Sequence, residues 1–227
     1  MTLDALPRLA LIPAGEFLMG ADEAEEDERP VHRVHVDDVL MGIQPVSNAE
    51  YARFVRETGH RAPSIYEMPL VINAGGFDRE RDFRQTAGPY EWVASRPSAD
   101  RLDHPVTLVR YDDAAAYCAW LAAVSGRAFR LPTEAEWEIA AVQASRRGFR
   151  WGEVREWTAG TLRPWAGFTP AAWSKTAELD AQPVFAIARV QRGASFASRA
   201  RMKHPRARWW ALPERDDGFV GFRTCAL

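Results

Sequence analysis

The chain has 227 residues, enough for one large domain with an ample core; 47% are hydrophobic and 26% charged, a mix that argues against disorder, collagen and coiled coil. Its 29 Lys and Arg nearly balance 31 Asp and Glu, a formal charge of -2, so nucleic-acid binding through phosphates lacks its electrostatic footprint. Two cysteines, Cys118 and Cys225, are too few for a disulfide scaffold, and no run approaches the roughly 18 apolar residues of a membrane span, so a single cytoplasmic domain over 1–227 is expected, with no membrane partner.

Leu9 to Ile12 is too short for a signal segment, follows Asp4, and reads as the first strand. Leu9 to Met19 alternates around Gly15 and predicts a hairpin. Asp22 to Glu28, DEAEEDE, reads as a solvated acidic loop, with cation binding as the sharper alternative. Val31 to Val36 predicts a half-buried strand with Val34 and Val36 on one face. A helix then starts at Ser47: Ser47 and Glu50 make a capping box, Val46 can staple to Tyr51, Tyr51, Phe54 and Val55 line one face, and Gly59 stops it.

Residues 63–102 have weak periodicity and read as a long irregular insert, a kind of segment that either carries function or decorates the surface. A second helix is expected from about Asp112 to Val124, with Tyr117, Cys118, Leu121 and Ala122 inward, Cys118 a buried thiol and Gly126 the C-cap; the acidic pair Asp112 and Asp113 suits its start. A third begins at Thr133, capped by Glu136, with Trp137, Ala140 and Ala141 on its apolar face. From Val154 onward, short aromatic-rich segments separated by Gly, Pro and Asp predict strands and ordered loops, so the fold class is α+β.

Six of the nine tryptophans, Trp151, Trp157, Trp165, Trp173, Trp209 and Trp210, fall in the last third, where a shared aromatic pocket would suit a flat apolar or cationic ligand. Trp120, Trp137 and Trp157 read as core; Trp209 and Trp210 fit pocket and core equally. Arg199, Arg201, Arg206 and Arg208 cluster around the last two and could clamp a carboxylate bidentately. The histidines do not suggest a metal site: His32 and His35 are three apart on a strand and point to opposite faces, His60 follows a helix end, and His104 and His204 stand beside prolines as structural hydrogen-bonders.

The succession Ile12-Pro13-Ala14-Gly15-Glu16-Phe17-Leu18-Met19-Gly20, Glu28-Arg29-Pro30-Val31-His32, Pro45-Val46-Ser47-Asn48-Ala49-Glu50-Tyr51 and Asp103-His104-Pro105-Val106 resembles the formylglycine-generating-enzyme (sulfatase-modifying factor) family. Asp113 to Cys118, Arg130 to Glu138, Arg192-Gly193-Ala194-Ser195-Phe196 and Gly221-Phe222-Arg223 continue the resemblance in order over roughly residues 8 to 226. It implies a C-type-lectin-like α+β fold with few regular elements and much ordered loop. Trp151 to Ala159, Pro164 to Phe168 and Leu212 to Asp217 look most like ergothioneine and selenoneine synthases, which join sulfur or selenium to a trimethylated histidine.

Formylglycine-generating enzymes hold Cu(I) between two thiolates soon after Arg-Gly-Gly-Ser; the matching positions here are Ser198 and Lys203, so formylglycine generation is not expected. The synthases bind iron through histidines of a separate helical domain, so the resemblance implies an iron-bearing partner in trans. Their Arg-Asn-Trp-Asp segment, whose Asn and Asp touch substrate, matches Arg208-Trp209-Trp210-Ala211, and no tyrosine stands near Trp173 to Thr176, where their catalytic tyrosine loosely aligns. The segment 151–223 is therefore expected to face the ligand, with Trp165, Trp173, Arg206, Arg208, Trp209 and Trp210 as binding residues and Glu153 and Glu156 as candidate calcium ligands. The resemblance leaves two functions open. One is a surface that binds an amine, betaine or amino-acid-like molecule for oxidative carbon–sulfur or carbon–selenium chemistry. The other is a non-catalytic binding module, as in retroelement variable proteins, which diversify the segment before Gly-Phe-Arg; Ala207, Trp209, Trp210, Ala211 and Gly218 depart from the synthases there.

Overall fold

The computed structural model describes residues 6–66, 84–144, 148–169, 185 and 187–226. Two continuous arms open it. β1 (Leu9–Ile12) and β2 (Gly15–Met19) form the first, β3 (His32–Val36) and β4 (Val39–Gly42) the second. β1 pairs with β4 from Leu9 opposite Gly42 to Ile12 opposite Val39, and β2 with β3 from Gly15 opposite Val36 to Met19 opposite His32. The expected hairpin about Gly15 is thus corrected: β1 and β2 do not pair with each other. Gly15 lacks the left-handed backbone a tight turn would need, and Ala14 donates its N–H to the Asp38 side chain between β3 and β4. The reversal lies beyond Gly20, in the acidic loop.

Among the described residues three long helices follow. α1 (Asn48–Thr58) has the expected reciprocal cap, the Ser47 N–H donating to Glu50 Oε2 at 2.7 Å and the Glu50 N–H to Ser47 Oγ at 3.3 Å, and ends at Gly59 with φ 72°. Ser47→Ala is expected to destabilise the protein by about 1 kcal/mol, read from the urea midpoint; an unchanged midpoint would mean that tertiary packing alone holds this end. α2 (Tyr111–Ser125) begins one residue early, because Arg110 is the N-cap residue and its N–H donates to Asp113 Oδ2 at 2.8 Å. Burial would raise the Asp113 carboxyl, but hydrogen bonds from His60, Arg61 and the Arg110 N–H win and hold it at about 2. His60, expected only to follow a helix end, ties the exit of α1 to the start of α2 through this bond of 2.8 Å. α3 (Glu134–Val142) carries the predicted Thr133–Glu136 box.

After β5 (Phe129–Arg130), the last third supplies β6 (Arg155–Thr161), β7 (Arg189–Arg192), β8 (Arg208–Ala211), β9 (Val220–Phe222) and β10 (Cys225–Ala226). One sheet runs β1-β4-β10-β5 and another β8-β7-β6-β9, in which β6 and β9 are parallel. The main core packs Tyr51 and Phe54 of α1 and Tyr117 of α2 against Trp157 and Phe222; a second packs Trp137 of α3 on Ile12, Met41 and Cys225. Trp137 and Trp157 are fully buried as expected, whereas Trp120 stays half-buried, donating to Glu57 at 3.2 Å. Burial raises both thiols, Cys225 to about 12, and so keeps them in the non-nucleophilic protonated form. Among the described residues no helix is long and apolar enough to cross a membrane.

Candidate functional site

A cavity of about 370 Å³ opens where three distant segments meet: the end of the irregular insert, the Asp103-His104-Pro105 motif, and the loop after Ser195. Asn48, in the first turn of α1, fixes its floor. Its Nδ2 donates to the carbonyls of Arg101 at 2.9 Å and His104 at 3.1 Å, and its Oδ1 accepts from Trp92 Nε1 at 3.0 Å. One buried amide therefore binds the insert to the helix, and its backbone-directed bonds cannot be replaced by water there.

The walls are aromatic. Tyr90 stacks on Phe196 with centroids 5.2 Å apart and planes 10° from parallel, and the Arg101 guanidinium lies 4.3 Å from the Tyr90 ring. Phe196 is held by its N–H, which donates to the Glu153 carbonyl at 3.0 Å, yet stays 44% exposed. Glu91 accepts from Ser64 Oγ at 2.7 Å and the Ile65 N–H at 2.8 Å, while the Glu153 and His104 side chains are exposed at the rim. The cavity thus offers the exposed Phe196 ring and a carboxylate for a cation, with a guanidinium and an imidazole for an anionic end.

The residues expected to bind ligand lie elsewhere. Arg208 is buried and forks onto Glu134 at 2.8 and 3.0 Å, also donating to the carbonyls of Asp27 and Arg163. Trp165 stacks under it at 4.4 Å and over His32 at 4.6 Å. Arg206 donates to the Gly20 carbonyl. Trp209 donates to the Gly193 carbonyl at 2.7 Å beneath Arg155, and Trp210 is 45% exposed on β8. None of these five lines the cavity, and Trp173 lies outside the described residues. The calcium expectation is corrected: Glu156 is fully buried and accepts from Arg223 Nη2 at 2.7 Å and Trp137 Nε1 at 3.0 Å, so it cannot join exposed Glu153 on a cation.

Sequence reasoning passed over Tyr90, Trp92, Arg101 and Phe196 as cavity-lining groups. The signals were the irregularity of 63–102 and the position of Phe196 directly after the Arg-Gly-Ala-Ser run; nothing local joined the two.

Residues 2–153 match the Sulfatase-modifying factor enzyme 1-like domain. The chain belongs to this family. It is similar to a hercynine oxygenase of Mycolicibacterium smegmatis, 30% identical over 94% of this chain and 60% of the relative, and to the formylglycine-generating enzyme of Mycobacterium tuberculosis, 36% identical over 73% and 62%. The chain therefore spans about three-fifths of the length of these relatives. Among solved structures it resembles PvdO from Pseudomonas aeruginosa, with a TM-score of 0.63 and 20% identity over 98% and 95% of the two chains. Treponema denticola variable protein 1 follows with 0.56 and 17% over 96% and 94%. Both likenesses concern the fold, which is C-type-lectin-like.

Among the described residues of this sulfatase-modifying-factor domain, no three His, Cys, Asp or Glu side chains are gathered to hold a metal ion. His32 lies against the Pro30 carbonyl, His60 against Asp113 and His204 against Glu28, so these three imidazoles face separate partners. Ser198 Oγ accepts from the Ser195 N–H at 2.9 Å and Lys203 Nζ donates to the Phe196 carbonyl at 3.2 Å. Ser198 and Lys203 thus clip the loop that presents Phe196 to the cavity.

Proposed function

We propose that the chain is a ligand-binding domain of the hercynine-oxygenase type. In this reading it takes a betaine or related amine into the Tyr90–Phe196 cavity, for oxidative carbon–sulfur or carbon–selenium chemistry whose iron is held outside these 227 residues. The observation that carries it is the cavity itself. The quaternary ammonium of a betaine would lie against the exposed part of Phe196 beside Glu153, and its carboxylate would meet Arg101 and His104. The similarity to a hercynine oxygenase over 94% of this chain supports that ligand class. Two free, buried thiols suit a reducing cytoplasm.

The test is calorimetric titration of the protein with trimethylated histidine. Phe196→Ala is expected to weaken binding about tenfold, the scale of one desolvated cation–π contact, and Trp210→Ala to leave it unchanged. Absence of binding overturns the reading, and loss in Trp210→Ala alone would move the ligand to β8. Betaine binding by a protein that never promotes oxygen-dependent turnover beside an iron-bearing partner would favour the recognition module, which the likeness to a variable protein keeps in view.

A further inference from the structure

The strap 196–208 runs from the cavity wall to β8, and its far half is fastened to the acidic loop and its entry by one ion pair and two arginine bonds to backbone carbonyls. Arg201 pairs with Glu25 at 2.6 Å, Arg206 donates to the Gly20 carbonyl, and Arg208 Nη1 to the Asp27 carbonyl at 3.1 Å. Among these contacts sits Glu28, the last residue of a 3-10 turn (Glu26–Glu28), with no exposed surface and no well-formed hydrogen bond on either carboxylate oxygen. From the strap His204 faces it with Nε2 at 3.5 Å, and the Arg208 backbone N–H, close by, partly offsets the rise of its carboxyl.

Every element around Glu28 contributes charge. Glu25 and Asp27 come from its own loop, and Glu134 and Glu138 from α3. Arg192 comes from β7, with Nη1 3.8 Å from Glu134, Arg206 from the strap and Arg208 from β8. Arg192 is committed to Glu138, and Arg208 to Glu134. Among the described residues no arginine or lysine side chain pairs with Glu28 at contact distance, so the buried carboxylate is tolerated best when it carries a proton.

We propose that Glu28 and His204 form a proton-operated latch, which holds the strap on the acidic loop in mildly acidic medium and loosens it as the medium turns alkaline. Burial raises the Glu28 carboxyl to about 7, Asp27 adding to the rise, while burial, Arg192 and Arg206 lower His204. The pair is therefore a carboxylic acid facing a neutral imidazole. A carboxyl raised on folding stabilises below its ordinary value near 4.5, and that contribution is lost as pH rises through about 7. Because Lys203 in the same strap holds the Phe196 carbonyl, loosening reaches the cavity wall whatever ligand the cavity takes.

The experiment is hydrogen exchange of the whole chain, with protection factors of strap amides 199–208 corrected for the intrinsic pH dependence. Raising the pH from about 6 to about 8 is expected to lower strap protection about tenfold, while α1 and α2 amides keep theirs. Glu28→Gln is expected to remove this pH dependence. A strap whose protection is constant with pH overturns the latch, as does a Glu28→Gln protein that still loosens. Should Glu28→Gln fail to fold, the wild type decides: a loss confined to the strap supports the latch, and a parallel loss in α1 and α2 overturns it.

Discussion

Glu156→Ala is expected to lower stability by about 3–5 kcal/mol, shifting the urea midpoint down without abolishing cooperativity. The Arg223 guanidinium and the Glu156 carboxylate are both fully removed from water. Arg223 also donates to the carbonyls of Gly42 at 2.8 Å and Arg150 at 2.6 Å, so one side chain ties β4 and the loop before β6 to the carboxylate. Removing the carboxylate leaves a buried cation with two neutral acceptors and strips Trp137 Nε1 of its acceptor, and those losses add to the lost attraction. A loss under about 1 kcal/mol would show that water reaches Arg223 once the carboxylate is gone, and would refute the view that this pair organises the centre of the fold.

Gly221→Ala comes next, at about 3 kcal/mol, the upper end of what overpacking costs. A Cβ there would stand 2.3 Å from the Val106 carbonyl oxygen and 3.2 Å from Val154 Cγ2. The carbonyl cannot retreat. The Val106 N–H donates to the Val46 carbonyl and the Val46 N–H to the Phe222 carbonyl, both at 2.9 Å, so the three chains are already locked together. Thr107, next to Val106, lines the cavity, so the variant is expected to weaken betaine titration as well as the urea midpoint. Unchanged stability would mean that β9 can shift bodily from β6, against their parallel pairing at Glu156 and Gly221.

The helix boundaries were legible because their signals are local. A Ser or Thr three residues before Glu satisfies backbone N–H groups that the helix itself leaves open, whatever packs above it. The same holds for Gly59 and Gly126, both found at the left-handed position that ends a helix. The family, and with it the C-type-lectin-like fold, was legible from motifs in order, and Arg223 and Gly221 show what the last of those motifs does physically.

Charge was not legible in the same way. Arg208 reads as a ligand clamp from its aromatic neighbours, yet Glu134, 74 positions away, occupies its fork. DEAEEDE reads as solvated, yet its last residue is among the most buried carboxylates of the protein. The cavity joins residues about a hundred positions apart, Tyr90 and Phe196, through a stack that no sequence period encodes.

The amino-acid sequence by itself determined the family, the fold class and the capped ends of α1, the start of α3 and the glycine stop of α2, since these depend on motif order and on hydrogen bonds closed within four residues. Only the tertiary structure decided which strands pair, which charges are spent inside the protein and where a cavity opens. A side chain's cost in water or in the core depends on the neighbours that folding brings to it, and those neighbours come from anywhere in the chain.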